Sequence, residues 1–522
     1  MIRRLVSVLA AGAALAAPAR AQTVLPPAPQ PSYEYEARRI IDGLNATGMV
    51  AGVMVDGKVV YTGAFGKLEE GGTRPVTTDT LFPIASLSKA FTSTALAILV
   101  DRKQIGWDDP VRKYIPEFAM YDPWVSEHFT IRDALTHRSG LPLGAGDLLF
   151  WPDGNAGVPD VIKALPNLRP TTGFRDGYAY DNLLYLIAGE VIARVSGKSF
   201  QDFVDAEILK PVGLTRCAVD ASRIRPGQQV ATGHEREAGA KKGTPIDKRM
   251  TFTPAVAAAG GLNCPVGDMM IWARFWLDGG VTANGTRLIS EAQKNELWKG
   301  VTPTSSGVIP KTGPARNLEM YALGWAVESL EGAPVITHSG GAPGVATNFI
   351  LLPQQNVAIF ASSNDYMATA NAWTRQIADH LVNGKQDVDV IDRVIKRNTE
   401  ANAKAAGLVA QAIRPPKGAA RPSLPLSAYT GVYHDAWYGD VTITQKRGKL
   451  FIDMGRSTLL DGPLTPFEGD TFAALWPDRT MKADAFVTFT VESGKATGMK
   501  MKAISELTDF SYDFHDLDLK RK

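Results

Sequence analysis

The chain has 522 residues, of which 45% are hydrophobic and 21% are charged, and this composition is typical of a globular protein with more than one domain. Its 56 lysine and arginine residues nearly balance 54 aspartate and glutamate residues, which gives a formal net charge of +2. A near-neutral chain without a basic stripe gives no reason to expect a nucleic-acid partner.

The first residues have the pattern of an export signal. Arg3 and Arg4 form a positive start, residues 5–17 are apolar, and residues 19–21 (Ala-Arg-Ala) match a cleavage site. We therefore predict that residues 1–21 are a signal peptide and that the mature protein is secreted or periplasmic. A membrane anchor is the alternative, but the apolar run is too short to span a bilayer. No later segment is apolar enough either, so no stable membrane span is expected after signal removal.

Changes in composition divide the rest of the chain. Residues 22–34 are rich in proline and predict an extended lead-in. Residues 35–395 alternate helical stretches with short strands and form the first predicted domain. A polar helix ends within residues 396–425, where the stretch RPPKGAARPSLP predicts a linker. Residues 426–522 contain short runs of alternating polar and apolar residues, which predict a separate all-β domain.

Periodicity places elements within these domains. The stretch GMVAGVMVDGKVVYTGAFG predicts a strand hairpin that turns at Asp56-Gly57. AFTSTALAILVD and NLLYLIAGEVIARVSG are nearly all apolar, so each predicts a buried helix, and the second ends at Gly197. VITHSGGAPGVATNFILLPQQNVAIFASSN predicts two or three strands joined by tight glycine turns. In the last domain, alternating runs on either side of Gly448 and of Gly494 predict two further hairpins.

The segment FPIASLSKAFTS combines serines with a lysine at the start of the first apolar helix. A serine hydroxyl needs a base to become a nucleophile, and lysine can be that base if burial lowers its pKa. On a helix, residues three apart share a face, which pairs Ser86 with Lys89, whereas Ser88 lies about 100° away from Lys89. Taken alone, the tetrapeptide favours a helix-capping serine followed by a surface lysine, so the choice depends on partner residues.

Two later segments supply such partners. YDN at residues 180–182 precedes the second apolar helix, so its tyrosine and asparagine can project from a loop into a cleft. HSGG at residues 338–341 opens a strand, and its glycines allow a substrate backbone to approach closely. Together they offer a proton-transferring phenol, an amide for the substrate and a strand edge with N–H donors.

The order S-x-x-K, then Y-x-N, then H-S-G resembles the signature of class C β-lactamase-like serine hydrolases, which share a fold with penicillin-binding proteins. The likeness runs from about residue 35 to residue 380 and includes LFPIASLSKAFT, IRDALTHRSGLP, YDNLLYLIAGEVIARVSGKSF and HSGGAPGVATNFILLPQQNVAIF. It implies an α+β protein with a β-lactamase/transpeptidase-like domain, in which helices flank an antiparallel sheet beside an all-helical subdomain. The last domain resembles the lipocalin-like domain appended to some of these hydrolases, which implies a small antiparallel β-barrel-like domain.

The resemblance also implies roles for single residues. Ser86 corresponds to the serine that is acylated, and Lys89 corresponds to its general base. Tyr180 corresponds to the tyrosine that relays protons, and the nearby lysine ammonium is expected to lower the pKa of Tyr180. Asn182 corresponds to the side chain that holds the substrate amide. The seven histidines of the chain show no metal-ligand spacing, so neither a metal nor a cofactor is expected.

The third motif corresponds to the strand beside the substrate. The resemblance implies that His338, Ser339 and Gly340 bind substrate and that the N–H groups of Ser86 and Gly341 form the oxyanion hole. Most β-lactamases have a lysine at the position of His338, where it is a fixed cation for the carboxylate of the drug. Histidine is mostly neutral near pH 7, which weakens the β-lactamase hypothesis.

This histidine sets the order of the functional hypotheses. The first is an exported serine hydrolase that cleaves an amide or ester bond through an acyl-enzyme on Ser86, acting as a peptidase or esterase on D-amino-acid peptides or small esters. The second is a β-lactamase, and the third is a penicillin-binding or sensing module with little turnover. Each implies a small-molecule or peptide substrate, and the sequence predicts no oligomeric state.

Several other residues are expected to be structural. Cys217 and Cys264, the only cysteines, form one disulfide or remain two buried thiols. His137 is expected to be a loop residue held by hydrogen bonds. Trp325 is expected in the core, with a place beside the cleft as the alternative. The last domain could cap the cleft, restrict substrate size or mediate oligomers, and the sequence does not choose among these.

Overall fold

A computed structural model describes residues 32–304, 319–365, 368–384 and 389–522. The predicted signal peptide and residues 22–31 of the predicted lead-in lie outside these ranges. All of the described residues belong to one compact unit. Within that unit, no helix combines the length and the apolar character needed to cross a bilayer.

The first domain is built from strands and helices that alternate along the chain. Its described strands are β1 (Gly48–Val55), β2 (Lys58–Gly66), β3 (Phe82–Pro83), β4 (His234–Glu235), β5 (Thr244–Pro245), β6 (Asn263–Cys264), β7 (Thr302–Pro303), β8 (Glu319–Tyr321), β9 (Ala326–Leu330), β10 (Ala333–Ala342), β11 (Val345–Leu352) and β12 (Val357–Ser363). Its described helices are α1 (Tyr33–Leu44), α2 (Ser88–Asp101), α3 (Pro123–His128), α4 (Ile131–Leu135), α5 (Val158–Ala164), α6 (Leu183–Ser196), α7 (Phe200–Val204), α8 (Lys210–Val212), α9 (Ala257–Gly260), α10 (Val266–Leu277), α11 (Glu291–Leu297) and α12 (Ala368–Asn383). Helix α13 (Val390–Ala412) leads toward the last domain.

The larger sheet of this domain, as far as the described residues show, has eight antiparallel strands in the order β2-β1-β12-β11-β10-β9-β8-β7. Strands β11 and β12 are buried along their whole length because helices cover both faces of the sheet. Helices α1 and α12 pack on one face, where Ile40 and Trp373 belong to a shared apolar cluster, and α10 packs on the other. This is the predicted antiparallel sheet flanked by helices.

A helical subdomain lies beside the sheet, with α2, α4, α5 and α9 packed around α6 or against one another. The prediction of two buried apolar helices is confirmed by α2 and α6, and α6 ends at Gly197 in a left-handed conformation. Trp325 is fully buried and packs edge-on against Trp276, with ring centroids 5.2 Å apart. The core prediction for Trp325 is therefore confirmed, and the alternative place beside the cleft is wrong.

The predicted strand pairs form as expected, with one difference in a turn. The β1–β2 hairpin turns at Asp56-Gly57, both with positive φ. Strands β10, β11 and β12 form the three-stranded run predicted from residues 335–364. The turn between β11 and β12 contains no glycine, and Asn356 takes the left-handed conformation instead, with φ of 53°. Asparagine tolerates this conformation because its side chain is short and polar.

Cys217 and Cys264 form a disulfide, which decides between the two alternatives left by the sequence. Cys264 lies in β6 and pairs with Phe82 of β3, four residues before Ser86. The disulfide therefore ties the segment around residue 217 to the strand pair that enters the serine-lysine motif.

The last domain is a closed barrel of eight described antiparallel strands. They are β13 (Gly431–Asp435), β14 (Gly439–Lys446), β15 (Lys449–Asp453), β16 (Asp461–Glu468), β17 (Thr471–Ala474), β18 (Ala485–Glu492), β19 (Lys495–Ala503) and β20 (Leu519–Arg521). The predicted hairpins around Gly448 and Gly494 are confirmed by β14–β15 and β18–β19. Closure pairs every strand edge and leaves none exposed to other chains.

The barrel packs directly against the first domain through polar contacts. Thr458 donates to Asp153 over 2.6 Å, and Lys482 forms an ion pair with Glu235 at 2.7 Å. The segment between β19 and β20 reaches farther, to the interior of the helical subdomain. This segment places barrel residues at the candidate active site.

Candidate active site

Ser86 lies in a 3₁₀ turn, Ala85–Leu87, that runs directly into α2. Ala85 has φ of +46°, a left-handed conformation that is costly for a residue with a side chain and that turns the chain just before the serine. Ser86 lines a cavity, whereas Ser88 is fully buried and accepts a hydrogen bond from the N–H of Leu262 over 3.1 Å. The two serines therefore face different surroundings, as the helix geometry predicts.

Lys89 is fully buried beneath Ser86. Its Nζ lies 3.2 Å from Oγ of Ser86, 2.7 Å from Oδ1 of Asn182 and 2.9 Å from the carbonyl oxygen of Ala259. Burial lowers the pKa of Lys89 to about 7, although the charges of Asp147 and Asp181 act to raise it. A neutral amine has two N–H donors and one lone pair. The two oxygens can take the donors, which leaves the lone pair facing the serine hydroxyl.

Tyr180 lines the cavity together with Ser86. Burial raises the pKa of Tyr180 well above its usual range, although hydrogen bonding to Ser86 acts to lower it, so the prediction of a lowered pKa is wrong. The geometry explains the difference: Nζ of Lys89 lies 4.8 Å from the centroid of the Tyr180 ring, over the ring face. A cation in that position is stabilised by the π-face and does little for a phenolate. Tyr180 is therefore a neutral phenol, able to donate and accept a proton.

Asn182 links Lys89 to a buried carboxylate that sequence analysis missed. Its Nδ2 donates to Oδ2 of Asp147 over 2.9 Å, while its Oδ1 faces Lys89. Asp147 is fully buried, and burial raises the pKa of its carboxyl well above the usual range. A signal was present in the sequence, because Asp147 is the one charged residue in the apolar stretch LPLGAGDLLF. An acidic residue in such a stretch must find hydrogen-bond partners once it is buried.

His338 is buried on β10 and is held as a neutral ring. Its Nδ1 lies 2.6 Å from the carbonyl oxygen of Ser339, to which it donates, so Nε2 accepts from the hydroxyl of Tyr321 over 2.8 Å. Burial lowers the pKa of His338 to about 3, and the charge of Lys89 acts in the same direction. His338 therefore supplies no positive charge at neutral pH.

His137 packs beside the same tyrosines without entering the catalytic contacts. Its Nδ1 accepts from the N–H of Asp181 over 3.1 Å, and its ring lies 4.2 Å from that of Tyr180 and 4.4 Å from that of Tyr321. Burial lowers the pKa of His137 well below its usual range. The expectation of a loop residue held by hydrogen bonds is confirmed.

Three residues of the HSGG segment of β10 line the cavity, and His338 is one of them. Ser339 and Gly341 line the cavity together with Ser86, whereas Gly340 faces away. A Cβ atom at Gly340 would lie 2.1 Å from the carbonyl oxygen of Ile84, so only glycine allows β10 to approach the turn before Ser86. The oxyanion-hole N–H groups of Ser86 and Gly341, and substrate contacts of Ser339 and Gly340, stay predictions.

The cavity in front of Ser86 has a volume of about 1150 Å³. Three parts of the chain form its walls: the first domain, helix α13 and the barrel. Its aromatic lining includes Phe150, Trp151, Phe252, Phe510 and Tyr512, of which the last two belong to the barrel. Within the described ranges, no three His, Cys, Asp or Glu side chains are arranged to hold a metal ion.

Ser86 lies within hydrogen-bond distance of the buried Lys89, at the start of a helix beside an antiparallel sheet. This arrangement is that of a serine hydrolase of the β-lactamase and penicillin-binding protein type. Residues 37–381 match the family model described as Beta-lactamase, and the chain belongs to that family. Residues 415–521 match a domain of unknown function, DUF3471.

The relatives of the chain include proteins named as a hydrolase, a peptidase and a penicillin-binding protein homologue. Unguisins hydrolase ungD' of Aspergillus campestris is 28% identical over 444 residues, which cover 81% of this chain and 79% of the relative. The D-alanyl-D-alanine-carboxypeptidase/endopeptidase AmpH of Escherichia coli is 26% identical over 332 residues, which cover 62% of this chain and 81% of the relative. The octameric penicillin-binding protein homologue from Pyrococcus abyssi shares the fold, with a TM-score of 0.59 and 19% identity over 90% of this chain and 97% of that chain.

Proposed function

We propose that this chain is an exported serine hydrolase that cleaves an amide or ester bond through an acyl-enzyme on Ser86. The observation that carries the proposal is the buried Lys89, whose Nζ lies 3.2 Å from Oγ of Ser86 and whose pKa is lowered to about 7. At neutral pH a large fraction of this lysine is uncharged and can accept the serine proton. A surface lysine, with its pKa near 10.4, could not do so.

Acylation then follows from the placement of the groups. Oγ of Ser86 attacks the substrate carbonyl while its proton passes to Nζ of Lys89, and the developing oxyanion faces the predicted donors on Ser86 and Gly341. The tetrahedral intermediate collapses as the leaving group takes a proton from the Lys89–Tyr180 pair. Tyr180 suits this transfer because it is a neutral phenol hydrogen-bonded to Ser86.

Deacylation reverses the proton transfers with water in place of the leaving group. Tyr180 is the group on the cavity side of Ser86, so it is positioned to take a proton from the attacking water and to pass one to Ser86. Lys89 is held in place by Asn182 and the carbonyl of Ala259. On the buried side of Ser86, it receives the serine proton during acylation and returns it during deacylation. The enzyme ends the cycle with both groups in their starting states.

Within this class, we propose a peptidase or esterase that acts on D-amino-acid peptides or small esters, ahead of a β-lactamase. Both ring nitrogens of His338 are engaged within the protein, and its pKa of about 3 keeps it neutral, so it offers no cation to a substrate carboxylate. Three other cations of the cavity wall form ion pairs: Arg375 with Glu328 at 2.5 Å, Lys482 with Glu235 at 2.7 Å and Arg236 with Asp365 at 3.2 Å, while Arg397 lies on helix α13. Substrates without a carboxylate beside the scissile bond therefore suit the neutral His338 better.

The relatives support the same choice by the reactions in their names. The name of AmpH includes D-alanyl-D-alanine-carboxypeptidase and endopeptidase, and the fungal relative is a hydrolase of unguisins. The cavity of about 1150 Å³ is larger than most sites for small molecules and has room for a peptide.

Export is supported by two independent features. The first 21 residues have the charge, apolar run and small-residue site of a signal peptide. The disulfide between Cys217 and Cys264 is typical of a protein that folds in an oxidising compartment.

The nucleophile is tested by labelling with a fluorophosphonate probe. Ser86→Ala is expected to abolish labelling and hydrolysis of p-nitrophenyl acetate, whereas Ser88→Ala is the matched control that should label at the wild-type stoichiometry. Labelling that survives Ser86→Ala would overturn the proposed function. Burst kinetics test the alternative: one equivalent of product followed by silence, with both nitrocefin and p-nitrophenyl acetate, would favour a penicillin-binding or sensing module.

The substrate class is tested by a screen of D- and L-aminoacyl p-nitroanilides, small esters and β-lactams with the mature protein. We expect turnover of D-aminoacyl amides or esters with a higher kcat/KM than that of any β-lactam. A reversed order would make the β-lactamase alternative the correct one.

A further inference from the structure

The barrel reaches the catalytic lysine through a chain of side-chain hydrogen bonds. Oγ of Ser511, in the segment between β19 and β20, donates to Oδ2 of Asp147 over 2.8 Å. The same carboxylate oxygen accepts from Asn182, which in turn faces Nζ of Lys89 over 2.7 Å. Three hydrogen bonds thus connect a barrel residue to the proposed general base. Ser511 and Asp147 are 364 residues apart in sequence.

The barrel also holds the turn that presents Asp147. Oδ2 of Asp513 accepts from the N–H of Gly146 over 2.6 Å, and its Oδ1 accepts from the N–H of Leu148 over 3.1 Å. These are the two residues that flank Asp147. Asp513 is fully buried, so its hydrogen bonds are shielded from water. The position of the Asp147 carboxylate is therefore set from both sides by residues of the barrel.

The barrel further completes the wall of the cavity. The ring of Phe510 lies 6.2 Å from that of Tyr180 in an edge-on arrangement and lines the cavity together with Ser86. Gly144, whose N–H donates to the carbonyl of Tyr180 over 2.8 Å, must be glycine here because a Cβ would lie 2.6 Å from the Phe510 ring. The barrel segment and the tyrosine loop are therefore fitted to one another.

We propose that the barrel domain is an integral part of the active site, in which Ser511 is a positioning residue that orients Asn182 and Lys89 through Asp147. This inference rests on the proposed function and gives a role to the domain matched only as one of unknown function. The sequence left three roles open for this domain, which were to cap the cleft, to restrict substrate size or to mediate oligomers, and the inference adds the positioning of active-site residues to them.

The chemistry predicts a direction for the effect of Ser511. Its hydroxyl stabilises the charged form of Asp147, and that charge raises the pKa of Lys89. Without the hydroxyl, the pKa of Asp147 rises, less negative charge faces the lysine, and the pKa of Lys89 falls. The other titratable groups that face Lys89 or Asp147 from the packed elements are unchanged by this substitution; they are Asp181, His137, His338, Tyr180, Tyr185 and Asp513.

The test compares Ser511→Ala with Ser457→Ala. Ser457 is also a buried barrel serine that donates to an aspartate of the first domain, Asp153, but no hydrogen bond joins that pair to Lys89 in the described residues. We expect Ser511→Ala to lower the plateau of kcat/KM for p-nitrophenyl acetate by about tenfold, through misplacement of Asn182 and Lys89. We also expect the acid limb of the pH profile of kcat/KM to move to lower pH by about half a unit in this variant. Ser457→Ala should leave both unchanged.

A double-mutant cycle isolates the path through Asp147. In an Asp147→Asn background, Ser511→Ala should cause no further shift of the acid limb, because the charge on which it acts is already gone. Full additivity of the two shifts, or a lower plateau in Ser511→Ala with an unmoved acid limb, would overturn the positioning role. If Ser511→Ala does not fold, Ser511→Cys replaces it in the same comparison, because cysteine has a shape similar to that of serine but is a weaker hydrogen-bond donor.

This failure is distinguishable from failure of the proposed function. If Ser86→Ala retains activity, the proposed function is wrong. If Ser86→Ala is inactive but Ser511→Ala behaves like Ser457→Ala, the hydrolase assignment stands and the inference about the barrel alone is wrong.

Discussion

Nζ of Lys89 lies 3.2 Å from Oγ of Ser86, and Lys89 is fully buried, so the proposed base and the proposed nucleophile meet on the buried side of the cavity. This relationship connects the acid-base behaviour of one side chain to both activity and stability.

Acylation should depend on the free-base form of Lys89. Because burial lowers the pKa of Lys89 to about 7, kcat/KM for p-nitrophenyl acetate should rise with pH through an apparent pKa near that value and then level off. The Ser86→Ala variant, measured in parallel, supplies the non-enzymatic rate at each pH. A limb that continues to rise up to pH 10, as an ordinary lysine would give, contradicts this prediction.

The same lysine should make the stability of the native state depend on pH. The difference in the free energy of unfolding between the wild type and a variant without the charge should be less favourable to the wild type at neutral pH than at alkaline pH. Its folded-state pKa lies below its unfolded value near 10.4, so between these values the unfolded chain binds more protons. Against Lys89→Met, wild-type stability should therefore increase by at most about 1.4 kcal/mol per pH unit from pH 7 to pH 10. Urea unfolding of both proteins at pH 7, 8.5 and 10 measures this. A difference that is flat with pH would show that the pKa of Lys89 is not lowered by folding.

Replacing the neutral ring of His338 by a cation should change which substrates are accepted. His338→Lys is expected to raise kcat/KM for nitrocefin relative to that for p-nitrophenyl acetate by about tenfold, because it supplies a positive charge for the carboxylate of the β-lactam. His338→Gln keeps the site neutral and is the matched control, with an unchanged ratio. An unchanged ratio in His338→Lys would place carboxylate recognition elsewhere in the cavity.

Phe510 should affect large substrates more than small ones. It is 39% exposed and lines the cavity, so Phe510→Ala removes an aromatic wall beside Tyr180 without opening the core. We expect kcat/KM for a D-phenylalanyl p-nitroanilide to fall by about tenfold while that for p-nitrophenyl acetate changes by less than about twofold. Phe486→Ala, in the barrel but outside the cavity wall, should change neither. Equal losses for both substrates would indicate a structural role for Phe510 instead.

The disulfide should contribute to stability. It closes a loop with a sequence separation of 47 residues, and its removal in Cys217→Ser/Cys264→Ser is expected to lower the free energy of unfolding by about 2–4 kcal/mol. Thermal unfolding of the variant and of the wild type, each with and without dithiothreitol, measures this. The reductant should lower the Tm of the wild type alone, and a shift of equal size in the variant would exclude the disulfide as the cause.

Much of the fold was predictable because it follows from local patterns. The structure contains the strand pairs predicted from the alternating runs around Gly448 and Gly494 and from the Asp56-Gly57 turn. It also contains α2 and α6, which the apolar runs predict. Spacing on a helix also separates Ser86 from Ser88 without any knowledge of their neighbours. The three motifs, in their order along the chain, identify the family.

Tertiary packing decided what local patterns do not encode. Burial and the position of Lys89 over its ring make Tyr180 a weaker acid than expected, and burial with two hydrogen bonds makes His338 neutral. The pairing of Cys217 with Cys264 required the strands that bring them together. Charge and proton affinity depend on desolvation and on neighbours in space, which periodicity does not report.

The sequence by itself determined the candidate nucleophile, the candidate base and the class of hydrolase, because those rest on spacing along one helix and on motif order. Only the tertiary structure showed that Asp147 lies behind Asn182 and that Ser511 of the barrel holds Asp147. The reason is physical: a hydrogen bond between residues 364 positions apart exists only after two domains have packed, and no pattern within either segment requires it.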